Sequence, residues 1–151
     1  LKTRILAAVM ATAALSGLLV ASPAQARDGV SSARVDPFES AAGRDYGGGS
    51  VRATVDSVSR TKVVFRNFTV RDICPGDNLP IKGRVWWEHT DGTHGYGAWR
   101  SDTNGCGDDG TNFGNITRTG TKSISSVYVQ VCSTYCDHSA ARYNQYVRPG
   151  R

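Results

Sequence analysis

His89 and His94 flank an Asp91-Gly92 dipeptide, and this pair is the sharpest chemical feature of the chain. Asp-Gly readily takes positive φ at both central positions of a two-residue type I′ hairpin, so the dipeptide predicts a tight turn with Thr90 opposite Thr93. That register places His89 across from His94, Trp87 across from Tyr96 and Val85 across from Ala98, all on one face. Cross-strand Cβ atoms lie ~4.5–5.5 Å apart, close enough for two imidazoles to share zinc or copper, with His138 or Asp91 as a third ligand. The same pair could supply the acid and base of a small hydrolase. No nucleophile or oxyanion feature is legible beside them, and Glu88 points to the opposite face of its strand.

Two other groups have metal-ligating residue types. Asp102-Thr-Asn104-Gly-Cys106-Gly107-Asp108 follows the opening of an EF-hand loop, but Cys106 stands where an oxygen ligand is needed and Phe113 where a bidentate Glu is needed. The strict motif fails. A looser calcium site from Asp102, Asn104, Asp108 and Asp109 competes with an ordinary solvated loop. Cys132, Cys136 and His138 could hold zinc, but the same cysteines are also candidates for a disulfide.

The opposite face of the predicted hairpin pairs Glu88 with Gly95, Trp86 with Gly97 and Arg84 with Trp99. The glycines would leave room for Trp86 to lie flat, and Arg84 could stack on Trp99, a cation–π contact worth ~0.5–1 kcal/mol when exposed. With Tyr128 these residues form a candidate binding patch suited to sugar rings or a protein partner. The alternative is that a second sheet covers this face, which would make Trp86 and Trp99 core.

The surrounding elements are short strands. Val51, Ala53 and Val55 alternate with polar residues; Lys62–Ile73 is a longer strand whose apolar parity changes between Phe65 and Phe68, predicting a bulge near Arg66-Asn67. Ile124–Cys132 alternates most clearly, with Val127, Val129 and Val131 directed in and Tyr128 and Gln130 out. Asn115–Thr119 and Asn144–Val147 are candidate edge strands, and Thr103–Gly114 is too polar for an element. No stretch after residue 26 has a helical period. The fold expected is an all-β antiparallel sandwich or small barrel of six to seven strands over residues 51–151.

Ahead of it, residues 1–26 have the form of a secretory signal: basic Lys2 and Arg4, an apolar run Ile5–Val20, and Ala24-Gln25-Ala26 before a cleavage point. Residues 27–50 are polar and glycine-rich, and read as a flexible arm. Cleavage near Ala26 would lower the net charge from +5 to +3. Without a basic cluster, nucleic acid is not an expected partner. A membrane is expected only during export, and no cofactor is indicated.

Export makes the four cysteines candidates for two disulfides. Of three pairings, Cys74–Cys106 and Cys132–Cys136 join neighbours along the chain and are expected. With the Arg-heavy composition, the Cys106 loop, the strand VYVQVC at Val127–Cys132, Cys136 and the Tyr-rich tail, the chain resembles small secreted proteins of Streptomyces and related actinobacteria. The likeness implies an extracellular location and disulfides. The chain departs from the secreted Streptomyces subtilisin inhibitors: its cysteines fall differently and no cysteine-flanked reactive segment is present. Three functions therefore compete. One is a non-enzymatic binding module for cell envelope, polysaccharide or protein; another is a hydrolase using His89 and His94. The third is a protease inhibitor presenting Thr103–Gly114.

Overall fold

A computed structural model describes residues 28–74, 79–107 and 109–147. Residues 1–26, read above as a secretory signal, and Asp108 lie outside these residues. In chain order the strands are β1 (Gly29–Val35), β2 (Phe38–Glu39), β3 (Asp45–Tyr46), β4 (Gly48–Ser59), β5 (Lys62–Ile73), β6 (Lys82–His89), β7 (His94–Tyr96), β8 (Arg100–Ser101), β9 (Thr111–Asn112), β10 (Ile116–Thr119), β11 (Ile124–Cys132), β12 (Cys136–His138) and β13 (Arg142–Tyr143). No helix occurs among the described residues.

Two antiparallel sheets form a sandwich, and neither closes into a barrel. The first runs β1-β4-β5-β10, with β9 also on β5. The second runs β12-β11-β6-β7, with β13 on β11 and β8 on β6. Alternation along the central strands turns one side of each sheet inward. Val51, Ala53, Val55, Val63, Phe65, Phe68 and Val70 from the first sheet meet Val85, Trp87, Ile124, Val127, Val129 and Val131 from the second.

The bulge in β5 falls where the parity change predicts. Asn67 and Phe68 together oppose Ala53, and Asn67 has φ 51°. Asn is one of the few residues that enters this left-handed region at low cost. The extra residue returns Phe68 and Val70 to the core.

The N-terminal segment corrects the expectation of a flexible arm. Gly29–Val35 pairs with β4 over its whole length, and Ser31, Ala33 and Val35 are buried. Its alternation of small residues was hidden by the serines. Ser31 is satisfied by a 2.7 Å bond to the Ser139 hydroxyl across the sandwich, and Ser139 Oγ also accepts from the Val129 amide. Phe38 stacks on Tyr46 at 4.7 Å, with Tyr135 5.6 Å away.

At the C-terminal end, Arg142–Tyr143 rather than Asn144–Val147 supplies the last strand. Asn144 is buried and donates to the Ser59 carbonyl, which ties this segment to the first sheet.

Both expected disulfides are present, Cys74–Cys106 and Cys132–Cys136. On the chain-entropy model they stabilise by ~4 and ~2 kcal/mol, the longer loop giving the larger effect. Two such bonds suit an oxidising, extracellular-type compartment. No helix among the described residues is long and apolar enough to cross a membrane.

Candidate functional site

The central hairpin folds one residue out of the expected register. His89 N–H donates to the Thr93 carbonyl at 2.7 Å, and Gly92 N–H donates to the His89 carbonyl at 3.0 Å. The loop is therefore three residues, Thr90-Asp91-Gly92, with Gly92 at φ +79° as the left-handed residue that closes it. Asp91 favours this turn because its carboxylate accepts from both the Thr93 amide and hydroxyl. Lys122, first, and then these bonds hold the Asp91 carboxyl well below the usual carboxylate range.

The shift leaves the inward side of β6 as expected and turns β7 over. Trp86 now opposes Tyr96, Trp87 opposes Gly95, and Glu88 opposes His94. His89 and His94 are consequently not cross-strand partners: His89 is buried, and His94 is exposed on the other face. Tyr96, expected inside, is 43% exposed.

The register builds an ordered outer face on the second sheet. One row runs Tyr143, Ser126, Glu88, His94 across four strands. The next holds Tyr128, Trp86 and Tyr96, and the third His138, Gln130 and Arg84. A fourth holds Cys136, Cys132, Lys82 and Ser101.

In the second row Trp86 stacks on Tyr128 at 4.4 Å and on Tyr96 at 5.9 Å, one neighbour on each side. The Arg84 guanidinium continues the stack, 3.9 Å from the Tyr96 ring centre and 4.2 Å from that of Trp99. His138 meets Trp86 and Tyr128 edge-on. Each aromatic pair contributes ~0.5–1.5 kcal/mol beyond its burial. The array is thus a rigid ladder, and its accessible rings are Tyr96 and Trp99, the latter 42% exposed.

Polar groups frame the rings. Arg84 Nε donates to Gln130 Oε1 at 2.7 Å. Glu88 Oε2 accepts from Ser126 Oγ at 2.7 Å and from the Tyr128 hydroxyl at 3.0 Å. Partial burial, opposed by the Ser126 contact and reinforced by the Glu88 carboxylate, raises the Tyr128 phenol above its ordinary value.

No family model, curated protein or solved structure matches the chain. Its own geometry must therefore carry the functional argument.

The candidate patch Trp86, Trp99, Arg84 and Tyr128 is brought together on one face, with the Arg84–Trp99 contact as expected. Trp86 lies inside the ladder and not flat on glycines; Trp87 takes that place. Sequence reasoning missed Tyr96, Gln130, His138 and Tyr143 as members of this face. Gln130 was already legible as outward-facing from the alternation of β11, and the wrong turn length concealed Tyr96.

The other candidates separate. His89 and His94 both line a cleft of about 380 Å³ at the hairpin tip, with Thr93, Arg118, Thr121 and Lys122. No carboxylate is among these residues, so the acid–base arrangement lacks an orienting partner there. Among the described residues no group of three or more His, Cys, Asp or Glu side chains could hold a metal ion. Cys132 and Cys136 are joined to each other and do not ligate with His138.

In the 102–110 loop, Asp102 accepts from the Asp72 and Asn104 amides and from the Thr111 hydroxyl. Burial alone would raise its carboxyl, but these bonds outweigh it and hold the group below its ordinary value. Asn104 donates to the Gly110 carbonyl and Gly107 N–H to the Asp72 carbonyl. The oxygens of Asp102 organise the loop, which lies back along β5 through β9.

Proposed function

We propose that the protein is an exported binding domain whose outer aromatic face takes polysaccharide of the cell envelope, after residues 1–26 have directed it out of the cell. The observation that carries this reading is the five-membered ladder Tyr128–Trp86–Tyr96–Arg84–Trp99 on the side of the second sheet turned away from the core. A sugar ring has an apolar C–H face and a polar rim. Trp99 and Tyr96 offer exposed rings for the former, while Glu88, Gln130 and His138 offer carboxylate, amide and imidazole groups for the latter. Trp86 acts from within the stack by fixing Tyr96, and with it Arg84. Such preorganisation lowers the ordering cost of binding. The two disulfides suit a protein working outside the cell, and the resemblance to small secreted Streptomyces proteins supports the same location.

The test is retention on insoluble cell-wall and polysaccharide preparations. Wild type is expected to sediment with the ligand, Trp99→Ala to remain in the supernatant, and Trp86→Ala to be retained weakly. Equal retention of all three proteins would remove the ladder from binding. Retention on a protein fraction alone would move the reading to a protein partner.

A further inference from the structure

We propose that the cleft at the hairpin tip is an oxyanion subsite, taking a phosphate, sulfate or carboxylate group. Its lining combines Arg118 and Lys122 with His89, His94, Thr93 and Thr121, and includes no carboxylate. Each of these residue types can donate a hydrogen bond to an oxygen anion, although the Thr93 hydroxyl already donates to Asp91.

Arg118 is the anchor. Its guanidinium carbon lies 4.5 Å from the Trp87 ring centre, so a core side chain fixes the group at the cleft wall. Its Nε is buried without a hydrogen-bond partner, and Arg118 forms no ion pair with a described carboxylate. A guanidinium without a carboxylate partner favours an anion beside it, and the cleft that Arg118 lines offers that place. Lys122 is partly neutralised, since Nζ contacts Asp91 Oδ2 at 2.8 Å and Thr93 Oγ1 at 3.3 Å. These contacts also hold it beside Thr93 at the cleft. With Lys122 offset by Asp91, Arg118 supplies the positive charge of the site that no described carboxylate pairs.

The cleft adjoins the aromatic face. His94 lines it and also meets the Tyr96 ring edge-on at 5.4 Å. If the ladder binds glycan, as proposed above, the ligand class narrows to an acidic polymer, with rings on Trp99 and Tyr96 and an anionic group at Arg118. The subsite itself does not depend on that reading.

The test is an NMR titration of the full chain with inorganic phosphate, sulfate and acetate, with chloride at matched ionic strength as control. The Arg118 Nε–H and the Thr93 and Thr121 amides are expected to shift saturably. Preference for phosphate and sulfate over acetate would assign the source as a phosphorylated or sulfated ligand, and the reverse a uronate-type one. Arg118→Gln should weaken binding roughly tenfold, and Arg118→Lys, which keeps the charge, should retain most of it. Trp99→Ala should leave the phosphate affinity unchanged even where it abolishes glycan retention, which separates this proposal from the ladder. Shifts reproduced by chloride, or undiminished affinity in folded Arg118→Gln, would overturn the subsite.

Discussion

Trp86 and Trp87 are adjacent in the chain and belong to different parts of the molecule. Trp87 is 7% exposed, lies across Gly95 and packs with the core and Arg118. Trp86 faces the other way, stacked between Tyr128 and Tyr96 on the side turned from the first sheet. The pleat alone separates them. One indole therefore belongs to the fold and the other to the surface array, and substitutions at the two positions should fail in different ways.

Trp87→Ala should have the largest effect. Removing a buried indole leaves a cavity, with an expected loss of ~3–5 kcal/mol. Urea unfolding followed by circular dichroism would measure it, and a loss below that of Trp86→Ala would reverse the assignment of the two faces.

Gly95→Ala tests the same contrast from the opposing strand. An added Cβ would lie 2.7 Å from Trp87 Cζ2. Overpacking of this kind costs ~1–3 kcal/mol. In a two-residue turn Gly95 would face outward beside Glu88, and the substitution would cost far less. A near-neutral result would thus contradict the observed register.

That sensitivity explains what could be read from the residues and what could not. The alternation of β6 and β11 and the β5 bulge depend on near neighbours in the chain, the cysteine pairing follows the order of the four cysteines, and each was legible. The hairpin register was not. Gly95-Tyr96-Gly97 offers a glycine bed to Trp86 in one register and to Trp87 in the other, and Asp-Gly suits both loop lengths. The Asp91 side chain, bonded to Thr93, supports the longer one. β1 was missed because the partner that satisfies buried Ser31 is Ser139, 108 residues away.

Trp86→Ala should cost about 1–2 kcal/mol in stability, since it removes two stacking contacts and little core. Its main effect should be on retention by polysaccharide. A comparison of unfolding midpoint with retention across Trp86→Ala and Trp87→Ala would sharpen the contrast: Trp86→Ala should be retained only weakly while remaining folded. If binding instead follows stability in both variants, the outer ladder has no role of its own.

The smallest effect expected is electrostatic and confined to the outer face. Desolvation raises the Tyr128 phenol above 10.0, with the Glu88 carboxylate adding to the rise against the opposing Ser126 bond. The folded protein therefore keeps this proton to higher pH than the unfolded chain does. The associated stability is fully present below the unfolded value and is lost as pH rises through the folded one. Glu88→Gln removes the negative charge but leaves the burial, so Tyr128 should titrate at lower pH in the variant. The alkaline loss of stability should become shallower. Phenolate absorbance, with Tyr128→Phe subtracted to isolate the one residue, would measure the displacement. Inner-face substitutions such as Val129→Ala should leave this titration in place as long as the protein stays folded, because the Glu88–Tyr128 bond lies wholly on the ladder side. An unmoved Tyr128 curve in Glu88→Gln would mean that Glu88 does not act on the ladder, and the frame around the rings would have to be assigned to other groups.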